Sequence, residues 1–209
     1  MAEPFQSRTA LAALGLAARA AADAEIEEAG VVLAERPVRA MVALRGDPGD
    51  KTFVSAVEHA LDVAPPTAPN TVAGPAVLGD GPRILWLGPD EWLVVTAASE
   101  GPDMPAALRG ALGDIHAAVV DVSDGRTVLA LSGPNARDVL AKGCGIDLHA
   151  SAFAAGQCAQ THLAKAHVLI HQTDDAPAYE IYVHRSFAPY LWAWLEDAAG
   201  EFLLKVEAG

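Results

Sequence analysis

The chain has 209 residues, 52% of them hydrophobic, and its 14 Lys and Arg against 27 Asp and Glu leave a formal net charge of −13. That length buries a sizeable core in one domain or two small ones, and that sign argues against nucleic acid or an anionic membrane as a partner. The two cysteines, Cys144 and Cys158, form no C-x-x-C pair, which argues against a disulfide framework or a thiolate zinc site and fits free thiols in a reducing cytoplasm.

Residues 10–22 are alanine-rich enough to resemble the end of a secretory signal. Glu3 and Pro4 stand where basic residues would belong, however, and Arg19 interrupts the apolar part, so no leader is expected. No stretch reaches the roughly 20 apolar residues of a membrane span. Ser7 is placed to cap a helix from about Arg8 to Ala22, with Leu11, Leu14 and Ala18 as a narrow apolar stripe. The acidic Glu25, Glu27 and Glu28 read as a solvated connector, and residues 26–33 as a strand with Gly30 inside it. Residues 38–45 alternate with a period of two and predict a half-buried strand. A turn over 46–50 follows, in which Asp50 caps a helix marked on one face by Phe53, Val54, Val57, Ala60 and Leu61. Residues 65–71 are too proline-rich for regular structure and long for mere connection, so they predict an ordered contact loop. Two apolar runs, 84–87 and 92–96, flank Gly88-Pro89-Asp90-Glu91 and predict a hairpin, with Trp86 and Trp92 packed across it. Residues 105–112 predict a short helix ended by Gly113.

Residues 119–123 and 127–131 flank Asp124-Gly125, and the pattern predicts a second hairpin. Pro134 then suits the first position of a helix whose Ala136, Val139 and Leu140 share a face and whose Gly143 offers a left-handed stop. After an irregular stretch come apolar runs at 158–163, 167–172 and 179–184, a helix at 187–198 and a strand at 202–206. The last helix carries Tyr190, Leu191, Trp194 and Leu195 on one face and Trp192 on another.

From 38 to 123 the order is strand, helix, strand, strand, helix, strand, that of a ferredoxin-like unit, and a similar order recurs afterwards. The expected fold class is therefore α+β, two ferredoxin-like α/β halves with antiparallel sheets. Its parts are an N-terminal helix and connector over 1–37, a first subdomain over 38–123 and a second over 124–209. No catalytic constellation emerges. His162, His167 and His171 lie close in sequence without a defined third ligand for a tetrahedral site. Ser132 lacks a G-x-S-x-G elbow, no spacing rule selects Cys144 beside Lys142 and His149, and no phosphate-cradling glycine motif occurs.

Several motifs nevertheless occur together and in order: LRGD at 44–47, APNT at 68–71, LWLGPDEWLVV at 85–95, VVDVSDGRTVLALSGPNARDVLAKGC at 119–144, IDLH at 146–149, FAAGQCAQT at 153–161 and RSFAPYLWAWLEDA at 185–198. Together they resemble the gamma subunit family of heterotetrameric sarcosine oxidases, which is similar in architecture to the folate-binding aminomethyltransferase-like fold. The resemblance implies a four-subunit complex that oxidatively demethylates sarcosine to glycine, turning O2 into H2O2 and the methyl carbon into formaldehyde or methylenetetrahydrofolate. It implies partners alpha, beta and delta, with FAD, FMN and NAD in alpha and beta, tetrahydrofolate in alpha and zinc in delta. It gives the gamma chain itself no catalytic, cofactor or metal residues. One departure from folate-using relatives is the absence of an acidic pair near residues 81–86, which weighs against the alternative of a free-standing folate-binding or aminomethyltransferase-like protein. Interface centres favour aromatic residues and shed acidic ones. The predicted partner contacts are accordingly Trp192, Trp86, Trp92 and the loop residues Pro66, Pro69 and Asn70, with Trp194 assigned to the core.

Overall fold

The computed structural model describes residues 9–75, 81–97 and 103–208. Its strands are β1 (Val31–Glu35), β2 (Arg39–Arg45), β3 (Val72–Ala73), β4 (Arg83–Gly88), β5 (Glu91–Ala97), β6 (Ala118–Asp121), β7 (Arg126–Ser132), β8 (Cys158–Leu163), β9 (Ala166–Asp174), β10 (Ala178–His184) and β11 (Leu204–Glu207). The helices are α1 (Leu16–Ala22), α2 (Lys51–Leu61), α3 (Met104–Leu112), α4 (Ala136–Ala141) and α5 (Ala188–Ala198). Two sheets form, ordered β3-β4-β5-β2-β6 and β11-β1-β7-β10-β9-β8.

Strand alternation sorts the core into three layers. Val42, Leu44, Ile84, Trp92 and Val94 of the small sheet face Phe53, Val57 and Leu61 of α2 and Leu108 and Leu112 of α3. Leu33, Leu129, Ile170 and Ile181 of the large sheet face α4 and α5. The opposite faces of both sheets meet through Met41, Leu85, Leu93 and Val95 on one side and Val128, Cys158, Leu169 and Tyr182 on the other. The molecule is thus helix, sheet, sheet, helix, an α+β architecture rich in antiparallel pairs.

Most predicted elements form where their sequence signals lie. Asp50 accepts a hydrogen bond from the Thr52 N–H (2.8 Å) at the start of α2, and Asp103 caps α3 through Ala106 (3.2 Å). Five expectations are corrected. The N-terminal helix is broken at Gly15 (φ 61°) into a short 3-10 turn, Ala12–Leu14, and α1; Leu11 is buried but Leu14 is 38% exposed. Ser7 and Arg8 lie outside the described residues. The strand expected at 26–33 starts later, at Val31, and β1 is no connector: it lies between β7 and β11 in the large sheet.

The Asp124-Gly125 hairpin does not form, because β6 pairs with β2 in one sheet while β7 pairs with β1 and β10 in the other. Ser123–Gly125 is a 3-10 turn, and Gly125 stays out of the left-handed region that a tight hairpin needs. Ser123 instead ties the crossover to β2, its hydroxyl accepting from the Met41 N–H (2.9 Å) and donating to Asp121 (2.6 Å). Gly143 is not a left-handed stop either. It is required by close approach, since a Cβ there would sit 2.5 Å from the Trp194 ring. Finally, α5 turns its Ala188, Leu191, Trp192 and Leu195 edge to the sheet, about one residue round from the predicted face.

Candidate functional site

The predicted contact residues divide into core and surface. Trp192 is 1% exposed beneath α5, and Trp194 is the half-buried one, lying over Gly143. Trp92 is fully buried, its ring 5.7 Å from that of Phe53 and its indole N–H donated to the Pro66 carbonyl (2.8 Å). Trp192 and Trp92 are therefore corrected to core positions, for one physical reason: each lies on the apolar face that its helix or strand turns inward. Trp86, the ladder neighbour of Trp92, is half-buried, as is Pro66, while Pro69 and Asn70 are exposed.

The loop that carries these prolines is built by its own hydrogen bonds. Asn70 takes a left-handed conformation (φ 60°), its carbonyl accepts from Cys158 N–H (2.9 Å), and the Thr71 carbonyl accepts from Trp86 N–H (3.1 Å). Val72 N–H donates to Gly156 (2.9 Å). One short segment thereby touches both sheets and holds residues 67–70 out as a fixed exposed tip.

Sequence reasoning missed the polar part of the layer between the sheets. Glu180 on β10 (5% exposed) accepts hydrogen bonds from Arg83 on β4 (2.9 Å) and from the Tyr182 hydroxyl (2.9 Å), and Arg83 also donates to the Pro75 carbonyl (2.9 Å). Arg36 stands 3.9 Å from the other Glu180 oxygen, and His171 is the ladder partner of Glu180. The signal available was a charge inside an apolar strand: Glu180 between Tyr179 and Ile181, and Arg83 before Ile84.

What this cluster can do chemically follows from its partners. A carboxylate shared by two arginines and a tyrosine clamps one sheet to the other. Burial, reinforced by Arg83, pushes His171 down to about 4, so it is neutral at pH 7. Burial likewise raises Tyr182 well above its usual range and pushes the Cys158 thiol up to about 12, which leaves no thiolate near neutrality. The three histidines do not converge. His162 and His167 stack edge-on across β8 and β9 (5.3 Å), whereas His171 is buried further along β9, and no group of three potential metal ligands occurs among the described residues. A groove of about 580 Å³ at the end of the small sheet is lined in part by Arg45, Asp47, Asp90 and His116, where Arg45 pairs with Asp90 (3.6 Å) and Glu91 (3.4 Å). No described helix is long and apolar enough to cross a membrane.

Comparison with known proteins adds relatives to this geometry. Residues 45–201 match the model of the "Sarcosine oxidase, gamma subunit family". The chain is 39% identical over 202 residues to the sarcosine oxidase subunit gamma of Corynebacterium sp. (strain U-96), covering 97% of this chain and 95% of the relative. It is 40% identical over 184 residues to that of Corynebacterium sp. (strain P-1), covering 88% and 87%. In three dimensions it superposes with a TM-score of 0.82 and 36% identity on a chain of the heterotetrameric sarcosine oxidase from Corynebacterium sp. U-96 in complex with pyrrole 2-carboxylate, covering 93% of this chain and 95% of that one. Aminomethyltransferase T of the glycine cleavage system from Bartonella henselae shares the fold, with a TM-score of 0.64 at 18% identity over 93% of this chain and 51% of that one.

Proposed function

The chain belongs to the sarcosine oxidase gamma subunit family, and from that premise we propose that it is the non-catalytic gamma subunit of a heterotetrameric sarcosine oxidase. In this reading the assembly oxidatively demethylates sarcosine to glycine in the cytoplasm, and this chain buttresses it. Its partners are the alpha, beta and delta subunits, and the FAD, FMN, NAD, tetrahydrofolate and zinc reside in them. The observation that carries the reading is the match over nearly the full length of both chains to one subunit of a heterotetramer.

The side chains themselves support a structural role. Glu180, Arg83 and Tyr182 spend their polar atoms on one another across the two sheets. Arg83 also stands in the short region where folate-using relatives carry an acidic pair, and its guanidinium is turned inward to Glu180. The rival reading, a free-standing folate-binding or aminomethyltransferase-like protein, has the shared fold in its favour but no carboxylate at that place.

Co-expression of the tagged chain with alpha, beta and delta subunits tests the proposal. The expected result is stoichiometric recovery of all four chains, sarcosine-dependent H2O2 production by the assembly, and none by the isolated chain. Calorimetric titration of the isolated chain with tetrahydrofolate is expected to show no saturable signal. Micromolar folate binding, or recovery of the tagged chain alone, contradicts the proposal.

A further inference from the structure

The two sheets end in four edge strands, and the chain closes three of these edges from within. The outer side of β11 packs against α1, whose C-cap Asp23 accepts from the Val206 N–H (2.9 Å). The outer side of β8 is bridged at both ends, by Thr71 at Gln157 and by Cys144 at Leu163. The short β3 gives its Val72 N–H to the Gly156 carbonyl (2.9 Å). The fourth edge is β6, which among the described residues pairs with β2 alone. We propose that β6 takes up an extended segment of a partner subunit as a further strand of the small sheet. The proposal rests on the reading of the chain as a subunit and adds to it the place and the chemistry of one contact.

Three observations carry it. First, the edge presents main-chain groups. Val122 N–H donates to the Met41 carbonyl (2.9 Å) on the β2 side, so the alternation of the ladder turns the N–H and C=O of Val119 and Asp121 outward. The Val119 carbonyl accepts from the Arg109 guanidinium (3.0 Å), and among the described residues no strand lies beyond the other three groups. Such a row is a template for another strand unless charge, proline or a bulge blunts it. Second, the middle of β6 is not blunted: Val120 is 52% exposed, and Ala118 on the same face is exposed with it. Third, at its Ala118 end the edge runs into the groove of about 580 Å³ lined in part by Arg45, Pro48, Pro89 and His116, which leaves space for the segment to continue past the strand.

The chemistry of the occupant follows from these groups. Outward N–H and C=O groups select an extended backbone without proline at the pairing positions, and Val120 selects an apolar neighbour on its own face. Hydrogen bonds from Ser123 hold the Asp121 carboxyl below the usual carboxylate range, and Asp124 lies just beyond it, so the segment is uncharged or basic where it passes them. A second copy of this chain would bring the same acidic strand on a molecule of net charge −13, so the segment belongs to a different chain.

The test compares the isolated chain with the co-expressed assembly by residue-resolved amide hydrogen exchange. The Val119 and Asp121 amides are expected to exchange at least about tenfold more slowly in the assembly. Val120→Lys is expected to melt, as an isolated chain, near the wild-type temperature and to lower recovery of the assembly by about tenfold, whereas Val120→Thr is expected to assemble like wild type. Unchanged exchange at both amides in a fully recovered assembly overturns the proposal, and so does a folded Val120→Lys chain that assembles like wild type. Should the Lys variant fail to fold, the exchange measurement on the wild type decides alone. Protection of the same two amides in the isolated chain, at concentrations where sedimentation shows a dimer, marks pairing between two copies and also overturns it. A wild-type chain that recovers no partners brings down the subunit reading and this proposal together.

Discussion

The two halves of the molecule share one strand order and differ by one insertion. In the small sheet β6, β2, β5 and β4 run in the order 4-1-3-2 of a ferredoxin-like unit, with β3 added at the edge. In the large sheet β11, β7, β10 and β9 repeat that order with β8 at the edge, but β1 is inserted between β11 and β7. β1 is antiparallel to β7 and parallel to β11, and the other strand pairs among the described residues are antiparallel. The insertion teaches how the chain is closed: a segment from before the first half completes the second, so the halves share chain as well as the face between them. Arg83, Glu180 and His171 lie in the layer that joins the halves, whereas the other buried polar residues, Glu35, Thr127 and Gln172, alternate onto the helix side of the large sheet, and the helix side of the small sheet is apolar among the described residues.

Substitutions can break this comparison one layer at a time. The largest effect is expected from Trp192→Ala, which empties the helix side of the large half and should cost about 4 to 5 kcal/mol in denaturant unfolding. Trp192→Phe should cost far less, because the indole N–H it removes has no acceptor. Next comes the joining layer. Glu180→Gln removes the buried carboxylate charge that Arg83 and the Tyr182 hydroxyl share and should cost about 3 kcal/mol, whereas Arg83→Met with Glu180→Leu should be much closer to wild type.

The same layer predicts a pH dependence. His171 takes up its proton near 6.5 when unfolded but only near 4 when folded. Its contribution is fully present above pH 6.5 and is lost as pH falls toward 4, a loss of about 3 kcal/mol that His171→Asn should flatten in a stability-versus-pH series. The smallest effect tests the insertion itself. Gly133 has φ 105° and a Cβ there would meet the Gly30 carbonyl oxygen at 2.7 Å, so Gly133→Ala should cost about 2 kcal/mol and speed amide exchange in β1 ahead of the small sheet.

Much of the fold was legible because much of it is local. Asp50 caps α2 as its sequence predicts, the 88–91 turn joins β4 to β5, and the order of elements revealed both repeats. What was not legible depended on distant partners. Nothing near Asp124-Gly125 says that β6 and β7 leave for different sheets, and nothing in residues 26–35 says that β11, about 170 residues later, will flank β1. Helix periodicity misplaced Trp192 because α5 is apolar over so much of its circumference that its centre was ambiguous by one residue. Of the predicted contact residues Pro69 and Asn70 are exposed and Trp86 partly so, while Trp92 had an unforeseen acceptor in Pro66.

The central claim is that the buried polar layer serves the fold and its assembly and not the chemistry. It is tested most directly by measuring sarcosine-dependent H2O2 production per assembled complex with the Arg83→Met, Glu180→Leu chain in place of wild type. The account predicts turnover per complex equal to wild type, whatever the yield of complex. A complex that assembles with full stoichiometry and loses turnover would contradict it.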